Sequence, residues 1–334
     1  MKSADVPSDV IVTHPLLKTI VGHERQLKRL EEAGYSVRTV IVPRPLSEDE
    51  VAEMLPGVRA WICSTDHFTR KALAQADRLE VLARCGVGYD AIDVEACNEL
   101  GVFVTTTPGA NHVTVAEFTL GLVFALAREI VWADALTRRG TWERNLLDGV
   151  SPLGKTLGIV GFGRIGRTLA GFATALGMKV QYYDILGAIA TGGVDASYVD
   201  FPQLLATSDF VSLHVPLTPQ TRSMISTEQL ALMKPTAYLI NTSRGTVVDE
   251  AALYETLRRG KIAGAALDVF ESEPLRSSPL FEVRDRLVLT PHIAGVSSES
   301  KAAMLRIAVD SALAVLAGER PATVVNEPVV KYAG

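Results

Sequence analysis

Gly161-Phe162-Gly163-Arg164-Ile165-Gly166 lies between an apolar run, Leu157 to Val160, and a helical pattern, Ile165 to Ala175. A strand, a glycine turn and a helix in that order point to a dinucleotide-binding unit. Without a side chain, Gly161 permits the tight turn, Gly163 lets the backbone approach a pyrophosphate, and Gly166 lets the helix pack close to the strand. The N–H groups at the helix start, where Arg164 and Ile165 stand, face the anion. The next apolar run, Met178 to Tyr183, ends at Asp184, near the ~20-residue spacing at which a carboxylate accepts hydrogen bonds from a ribose diol. Such a carboxylate repels a 2′-phosphate, so the expected cofactor is NAD rather than NADP. The glycine triplet alone is a weak signal; strand, helix and terminal Asp in register give it weight.

The remaining composition narrows the class. At 334 residues with 48% hydrophobic content, the chain is long for one domain and comfortable for two. Charged residues make up 21%, the net charge is -5, and no Lys/Arg run marks a phosphate-backbone footprint, so nucleic acid is not an expected partner. The start, Met1 to Asp5, lacks an apolar export core. The most apolar later stretch, Phe118 to Ala127, is flanked by Glu117 and Arg128 and is too short to span a bilayer. A soluble cytoplasmic protein with no membrane partner is expected. Cys63, Cys85 and Cys97 are odd in number and lack metal-ligand spacing, so reduced thiols are expected and no metal site.

Short β-rich runs alternate with helical patterns along the chain. Val10 to Thr13, Val37 to Val42, Ala60 to Cys63, Val81 to Ala83 and Val102 to Thr105 read as strands; Glu24 to Ala33, Glu48 to Leu55, Thr69 to Ala76 and Val94 to Leu100 read as helices. The rhythm restarts at Leu157 and continues through Phe210 to His214, Ala237 to Asn241, Gly264 to Asp268 and Leu287 to Thr290. Alternation of this kind predicts α/β architecture with two doubly wound parallel sheets. Val113 to Arg138 reads as one long helix, with Asn111 as its cap, connecting the two units, and Ser298 to Ala317 reads as a helix returning to the first. The expected layout is a discontinuous outer domain, 1–108 plus 297–334, with a nucleotide-binding domain, 109–296, inserted and a cleft between them.

Moving a hydride from an alcohol carbon requires a base for the hydroxyl proton and a cation to orient a substrate carboxylate. Asn241-Thr242-Ser243-Arg244-Gly245, Ala266-Leu267-Asp268 and Thr290-Pro291-His292 each close a strand, and carboxyl ends of strands line the ligand crevice of a doubly wound sheet. His292 is the best base, because an imidazole gains and loses its proton near neutrality. Glu273, in Glu271-Ser272-Glu273-Pro274, is available to hold one of its tautomers. Arg244 can offer a planar fork to a carboxylate. Taken singly, His292 also fits a structural strand-end histidine and Arg244 a surface arginine at a helix start.

These segments, in this order and over nearly the whole chain, resemble the D-isomer-specific 2-hydroxyacid dehydrogenases. The likeness rests on Gly161 to Gly166 with Asp184, His214-Val215-Pro216-Leu217, Asn241 to Val248 with Asp249-Glu250, Gly264 to Phe270 with Glu273-Pro274, and Pro291-His292-Ile293-Ala294-Gly295. It implies a flavodoxin-like substrate domain around an inserted Rossmann domain, with Arg244, Glu273 and His292 as the catalytic set. It further implies that Arg164, Ile165 and Asp184 hold pyrophosphate and ribose, that His214, Val215 and Pro216 border the adenine side, and that Asp268 holds the nicotinamide carboxamide. Thr242, Ser243, Arg244, His292 and Gly295 complete the implied NAD contacts.

Within the family the chain is most similar to the 3-phosphoglycerate dehydrogenase branch, through Arg84-Cys85-Gly86-Val87-Gly88-Tyr89-Asp90 and Gly140-Thr141-Trp142-Glu143-Arg144. That likeness implies a carboxylate-binding loop at Val87 and Gly88, and phosphate contacts from Arg84 and, out of a second subunit of a homodimer, Arg144. A third arginine of the pattern is replaced by Cys63, and the chain ends near Lys331, short of the regulatory module some members carry. A hydroxypyruvate or glyoxylate reductase is therefore the neighbouring expectation. Formate dehydrogenases, with glutamine in place of Glu273, are disfavoured, and an NAD(H)-sensing corepressor-like protein is the reading from another class.

Overall fold

The computed structural model describes residues 8–142 and 144–329; Met1 to Asp5, Glu143 and Lys331, used above, lie outside the described residues. The chain divides into two compact units, Met1–Asn111 with Ser297–Gly334, and His112–Val296. The first unit alternates β1 (Val10–Thr13), α1 (His23–Glu32), β2 (Val37–Val40), α2 (Glu48–Met54), β3 (Ala60–Cys63), α3 (Arg70–Leu73), β4 (Val81–Arg84), α4 (Val94–Leu100) and β5 (Phe103–Thr105). The second opens with α5 (His112–Ala127) and α6 (Ile130–Arg138), followed by β6 (Thr156–Val160), α7 (Arg164–Ala175), β7 (Lys179–Tyr183) and β8 (Ser197–Tyr198). It continues through α8 (Phe201–Thr207), β9 (Phe210–Leu213), α9 (Thr227–Leu232), β10 (Tyr238–Asn241), α10 (Glu250–Arg258), β11 (Gly264–Leu267) and β12 (Leu287–Leu289). The chain then returns to the first unit as α11 (Ser298–Leu316).

Both sheets are parallel. The five-stranded sheet has the order β2-β1-β3-β4-β5, which is the flavodoxin-like arrangement. Strand alternation feeds two cores: Val10 and Val12 pack under α1 and α11, while Ile11 and Trp61 face the side covered by α2, α3 and α4. Ser47, Thr69, Asp93 and Ser297 cap helices of this unit by accepting N–H bonds from the first turn, each worth about 1 kcal/mol.

The seven-stranded sheet runs β12-β11-β10-β9-β6-β7-β8. Because β7 and β8 lie on one side of β6 and β9 to β12 on the other, the winding reverses at β6, and the loops leaving β6 and β9 flank the ligand crevice of a Rossmann sheet. Helices α5 and α7 cover one face; α8, α9 and α10 cover the other.

The expected helix from Val113 to Arg138 is two helices. Glu129 adopts a left-handed conformation, φ 54°, between α5 and α6. The reason lies far along the chain: Val150 N–H donates to Ala127 O at 2.7 Å, occupying the carbonyl that an unbroken helix would present to Val131. Two other elements are shorter than expected, with the Val37 strand stopping at Val40 and the Thr69 to Ala76 helix reduced to the single turn α3. No helix among the described residues is long and apolar enough to cross a membrane. All three cysteines are free and buried.

Candidate active site

The dinucleotide half of the second unit is built on close approach. Gly161 has φ +92°, and a Cβ there would lie 2.7 Å from His214 O, so the turn packs directly on the loop leaving β9. At Gly166 a Cβ would lie 2.4 Å from Gly161 O and 3.0 Å from Ile159 Cγ2. Gly163 is different: nothing lies within 4 Å of the place its Cβ would take. That opening sits at the start of α7, whose first turn carries no acidic residue and no side-chain cap, leaving helix N–H groups, at Arg164 and Ile165, for an anion. Phe162 is wholly buried and stacks on Tyr182 with ring centroids 4.0 Å apart, which anchors the loop.

Asp184 follows β7 and is half-buried. Its Oδ2 accepts from Phe162 N–H at 2.8 Å and its Oδ1 from Leu186 N–H at 3.1 Å, so this carboxylate is oriented in part by the glycine loop itself. His214 Nε2 contacts Ser212 Oγ at 2.8 Å, while Nδ1 is a buried atom without a hydrogen-bond partner. Burial pushes its pKa down to about 3, which keeps the ring neutral. Val215 is half-buried beside it and Pro216 exposed. An open cradle at Gly163, an uncapped helix start and a fixed carboxylate at Asp184 fit a dinucleotide with an unphosphorylated ribose.

The other half brings together residues from three strand ends. After β10, Asn241 is buried; its Nδ2 donates to Arg244 O at 2.9 Å and its Oδ1 accepts from Ser243 N–H and Oγ–H at 3.0 and 2.8 Å. This turn sets the backbone of Thr242, Ser243 and Arg244, and Thr242 Oγ1 lies 3.0 Å from Thr119 Oγ1 on α5. Arg244 is half-buried, with Nη1 donating to Ser243 O at 2.7 Å.

After β11 stands Asp268, fully buried. Its Oδ1 accepts from Thr290 Oγ–H at 2.6 Å and Ile293 N–H at 3.0 Å, and its Oδ2 from Ala294 N–H at 2.8 Å. Asp268 O also accepts His292 N–H at 2.8 Å. The whole loop from Thr290 to Ala294, just ahead of Gly295, is thus organised around one carboxylate, and within it His292 has φ 55°, a left-handed conformation that costs a non-glycine residue about 1–3 kcal/mol and persists where surroundings enforce it.

His292 Nδ1 contacts Glu273 Oε2 at 2.6 Å, and Glu273 Oε1 accepts Phe270 N–H at 3.0 Å. Burial pushes the Glu273 carboxyl up, but the His292 bond and charge, the Phe270 N–H and the charge of Arg244 together hold it below the usual carboxylate range. His292 and Arg244 therefore both act on Glu273 within this unit.

The remaining expected site residues belong to the first unit, apart from Arg144. Arg84 ends β4 in the first unit; its Nη1 donates to Cys85 O, and its guanidinium fills the space beside Gly86 where a Cβ would stand. Val87 is exposed and Gly88 half-buried in the loop that follows. Cys85 is buried, which pushes its thiol up to about 12 and leaves it inert. Nearby, His14 at the end of β1 is pushed down to about 4 by burial and by the charges of Lys301 and Arg84. Arg144 is exposed on a single-turn helix of the second unit. Among the described residues no cluster of His, Cys, Asp and Glu could hold a metal.

Sheet order and glycine cradle define a Rossmann-type dinucleotide-binding unit. Residues 120–294 match the D-isomer specific 2-hydroxyacid dehydrogenase, NAD binding domain family, and the chain belongs to that family. It is 41% identical over 322 residues to D-3-phosphoglycerate dehydrogenase of Methanocaldococcus jannaschii, covering 96% of this chain and 59% of that protein. It is 45% identical over 275 residues to glyoxylate reductase of Thermococcus litoralis, covering 80% of this chain and 82% of the relative. The crystal structure of D-lactate dehydrogenase from Aquifex aeolicus, complexed with NAD and lactic acid, superposes with a TM-score of 0.85 at 29% identity, over 96% of this chain and 99% of that one.

Proposed function

We propose that this chain is an NAD-dependent D-2-hydroxyacid dehydrogenase that interconverts a short 2-hydroxy acid and its 2-keto acid. The observation that carries this reading is the 2.6 Å contact between His292 Nδ1 and Glu273 Oε2, with Arg244 acting on the same carboxylate. Bound NAD supplies the hydride acceptor, and the protein supplies binding, orientation and proton transfer. With Nδ1 engaged by Glu273, His292 Nε2 is the nitrogen that takes the hydroxyl proton during oxidation and returns it during reduction. Arg244 orients the carboxylate and carbonyl through its fork. Asp268 holds the His292 loop and, with a second lone pair on Oδ2, keeps acceptor capacity for the nicotinamide carboxamide.

The first unit is the substrate-binding domain in this reading, 1–108 with 297–334, and 109–296 is the NAD-binding domain. Val87 and Gly88 would hold the substrate carboxylate, while Arg84 and Arg144 would serve a second anionic group such as the phosphate of 3-phosphoglycerate. Cys63, 1% exposed, adds no cation to that group, which supports an unphosphorylated acid, glyoxylate or hydroxypyruvate, as the competing substrate. A panel of 3-phosphoglycerate, hydroxypyruvate, glyoxylate, pyruvate and phenylpyruvate, run with both nicotinamides, tests the assignment. NADH-dependent reduction of a small 2-keto acid is expected; preference for NADPH contradicts the role of Asp184, and tight NADH binding without turnover on any acid supports the sensor class instead. A phosphate-specific gain in kcat/KM would assign Arg84 and Arg144.

The working form is a cytoplasmic homodimer. Val113, Ile130, Val131, Trp142 and Leu146 are exposed apolar side chains on α5, α6 and the segment after them, with Arg144 beside them. Light scattering should give twice the chain mass of 35.9 kDa; a species of single mass refutes it.

A further inference from the structure

Two carboxylates that no substrate contact requires tie the arginine loop to the glutamate loop. Glu250 is the first residue of α10, and its N–H, one of the donors a helix start leaves unmatched, donates to Glu271 Oε1 at 3.2 Å. In return Glu271 N–H donates to Glu250 Oε1 at 2.6 Å. The pair is reciprocal, so each residue's carboxylate fixes the other's backbone. Glu271 stands two residues before Glu273, and Phe270, next to it, donates the N–H that holds Glu273 Oε1.

On the other side, the chain runs from Arg244 through a short turn at Gly245–Val247 and the cap Asp249 into α10. Gly245 presses on the same backbone: a Cβ there would lie 1.8 Å from the carbonyl carbon of Phe270 and 2.5 Å from Glu271 N. The contacts form one chain, from Arg244 and Gly245 across Phe270 and Glu271 to Glu273 and His292, and the clasp closes it from α10.

We propose that Glu250 and Glu271 are positioning residues, a carboxylate–amide clasp that sets the distance between the substrate-orienting Arg244 and the Glu273–His292 pair. This rests on the reading of His292 as the acid/base. The charged groups acting on Glu250 are Glu271 and Glu273, and those acting on Glu273 are His292 and Arg244. Glu282, on the short turn packed against α10, is engaged by Tyr254 Oη–H at 2.7 Å. Burial first, then the charges of Glu271 and Glu273, push the Glu250 carboxyl upward, against the pull of the Glu271 N–H, as expected for three acids held close together.

Glu250→Ala, which removes the acceptor for Glu271 N–H, should lower kcat about tenfold through misplacement, while Glu250→Gln, which keeps an acceptor in that place, should recover most of that loss. His292→Gln is run alongside. Glu250→Ala equal to Glu250→Gln in kcat, with turnover lost in His292→Gln, overturns the clasp alone. Turnover kept in His292→Gln overturns the base assignment and the clasp with it.

Discussion

The loop after β6 and the loop after β12 both leave the carboxyl ends of strands in the same parallel sheet, yet they are shaped by opposite means. Between Gly161 and Gly166 the backbone gets its form from missing side chains: one positive φ, two contacts too close for a Cβ, and one open space at Gly163. Between Thr290 and Ala294 the form is imposed from outside, by three bonds to Asp268 and one to its carbonyl, and the residue in the left-handed conformation is a histidine. A ligand-receiving loop can be vacated, whereas a proton-transferring loop needs a side chain aimed and held.

Substitutions can break this contrast. The largest effect is expected at His292→Ala, which should cut kcat by at least about 10²-fold with NADH binding retained; unchanged kcat would remove His292 from the chemistry. Asp268→Asn should follow within about tenfold of it although the imidazole is still present, because the left-handed turn loses its anchor. Near-normal kcat in that variant would show that the histidine loop holds itself.

Smaller effects separate the glycines. Gly163→Ala should weaken NADH by about tenfold or more while leaving Tm within about a degree, since the methyl enters only open space, the place the proposed function gives to the pyrophosphate. Gly166→Ala, meeting Gly161 O at 2.4 Å, should lower Tm by several degrees, of the order expected for overpacking that costs about 1–3 kcal/mol. If thermal melts and NADH titrations rank the two variants the other way, the division of labour among the glycines is wrong.

The same contrast explains what the sequence disclosed. A glycine requirement is local, so Gly161 to Gly166 and Asp184 were legible from spacing, as were the strands, whose period-2 and apolar runs reflect burial on each face. The Arg244 and His292 segments were legible as strand ends, their side-chain chemistry made them candidates for carboxylate orientation and proton transfer, and the resemblance added weight to both. What stayed hidden depends on partners distant in the chain. Nothing around Asp268 announces that its carboxylate organises residues 290–294, and Asn241 gives no sign that it shapes the Arg244 turn. The break at Glu129 has no proline or glycine to mark it, because the competing donor comes from Val150. The Glu250–Glu271 clasp was missed for the same reason, although a glutamate at the first position of a helix is itself a readable signal.

The placement of α11 has a consequence for the nascent chain. Val10 and Val12 on β1, Ala60 and Ile62 on β3 and Val81 and Ala83 on β4 form one apolar face, and Met304, Leu305, Ala308, Val309 and Ala312 cover it. Those covering residues come after the whole of the unit from His112 to Val296 in the chain, and that unit is continuous and has its own cores as soon as it has emerged. The unit that contains β1 to β5 is therefore completed only after its neighbour, and its uncovered face must be kept from aggregation while the whole of that neighbour is translated.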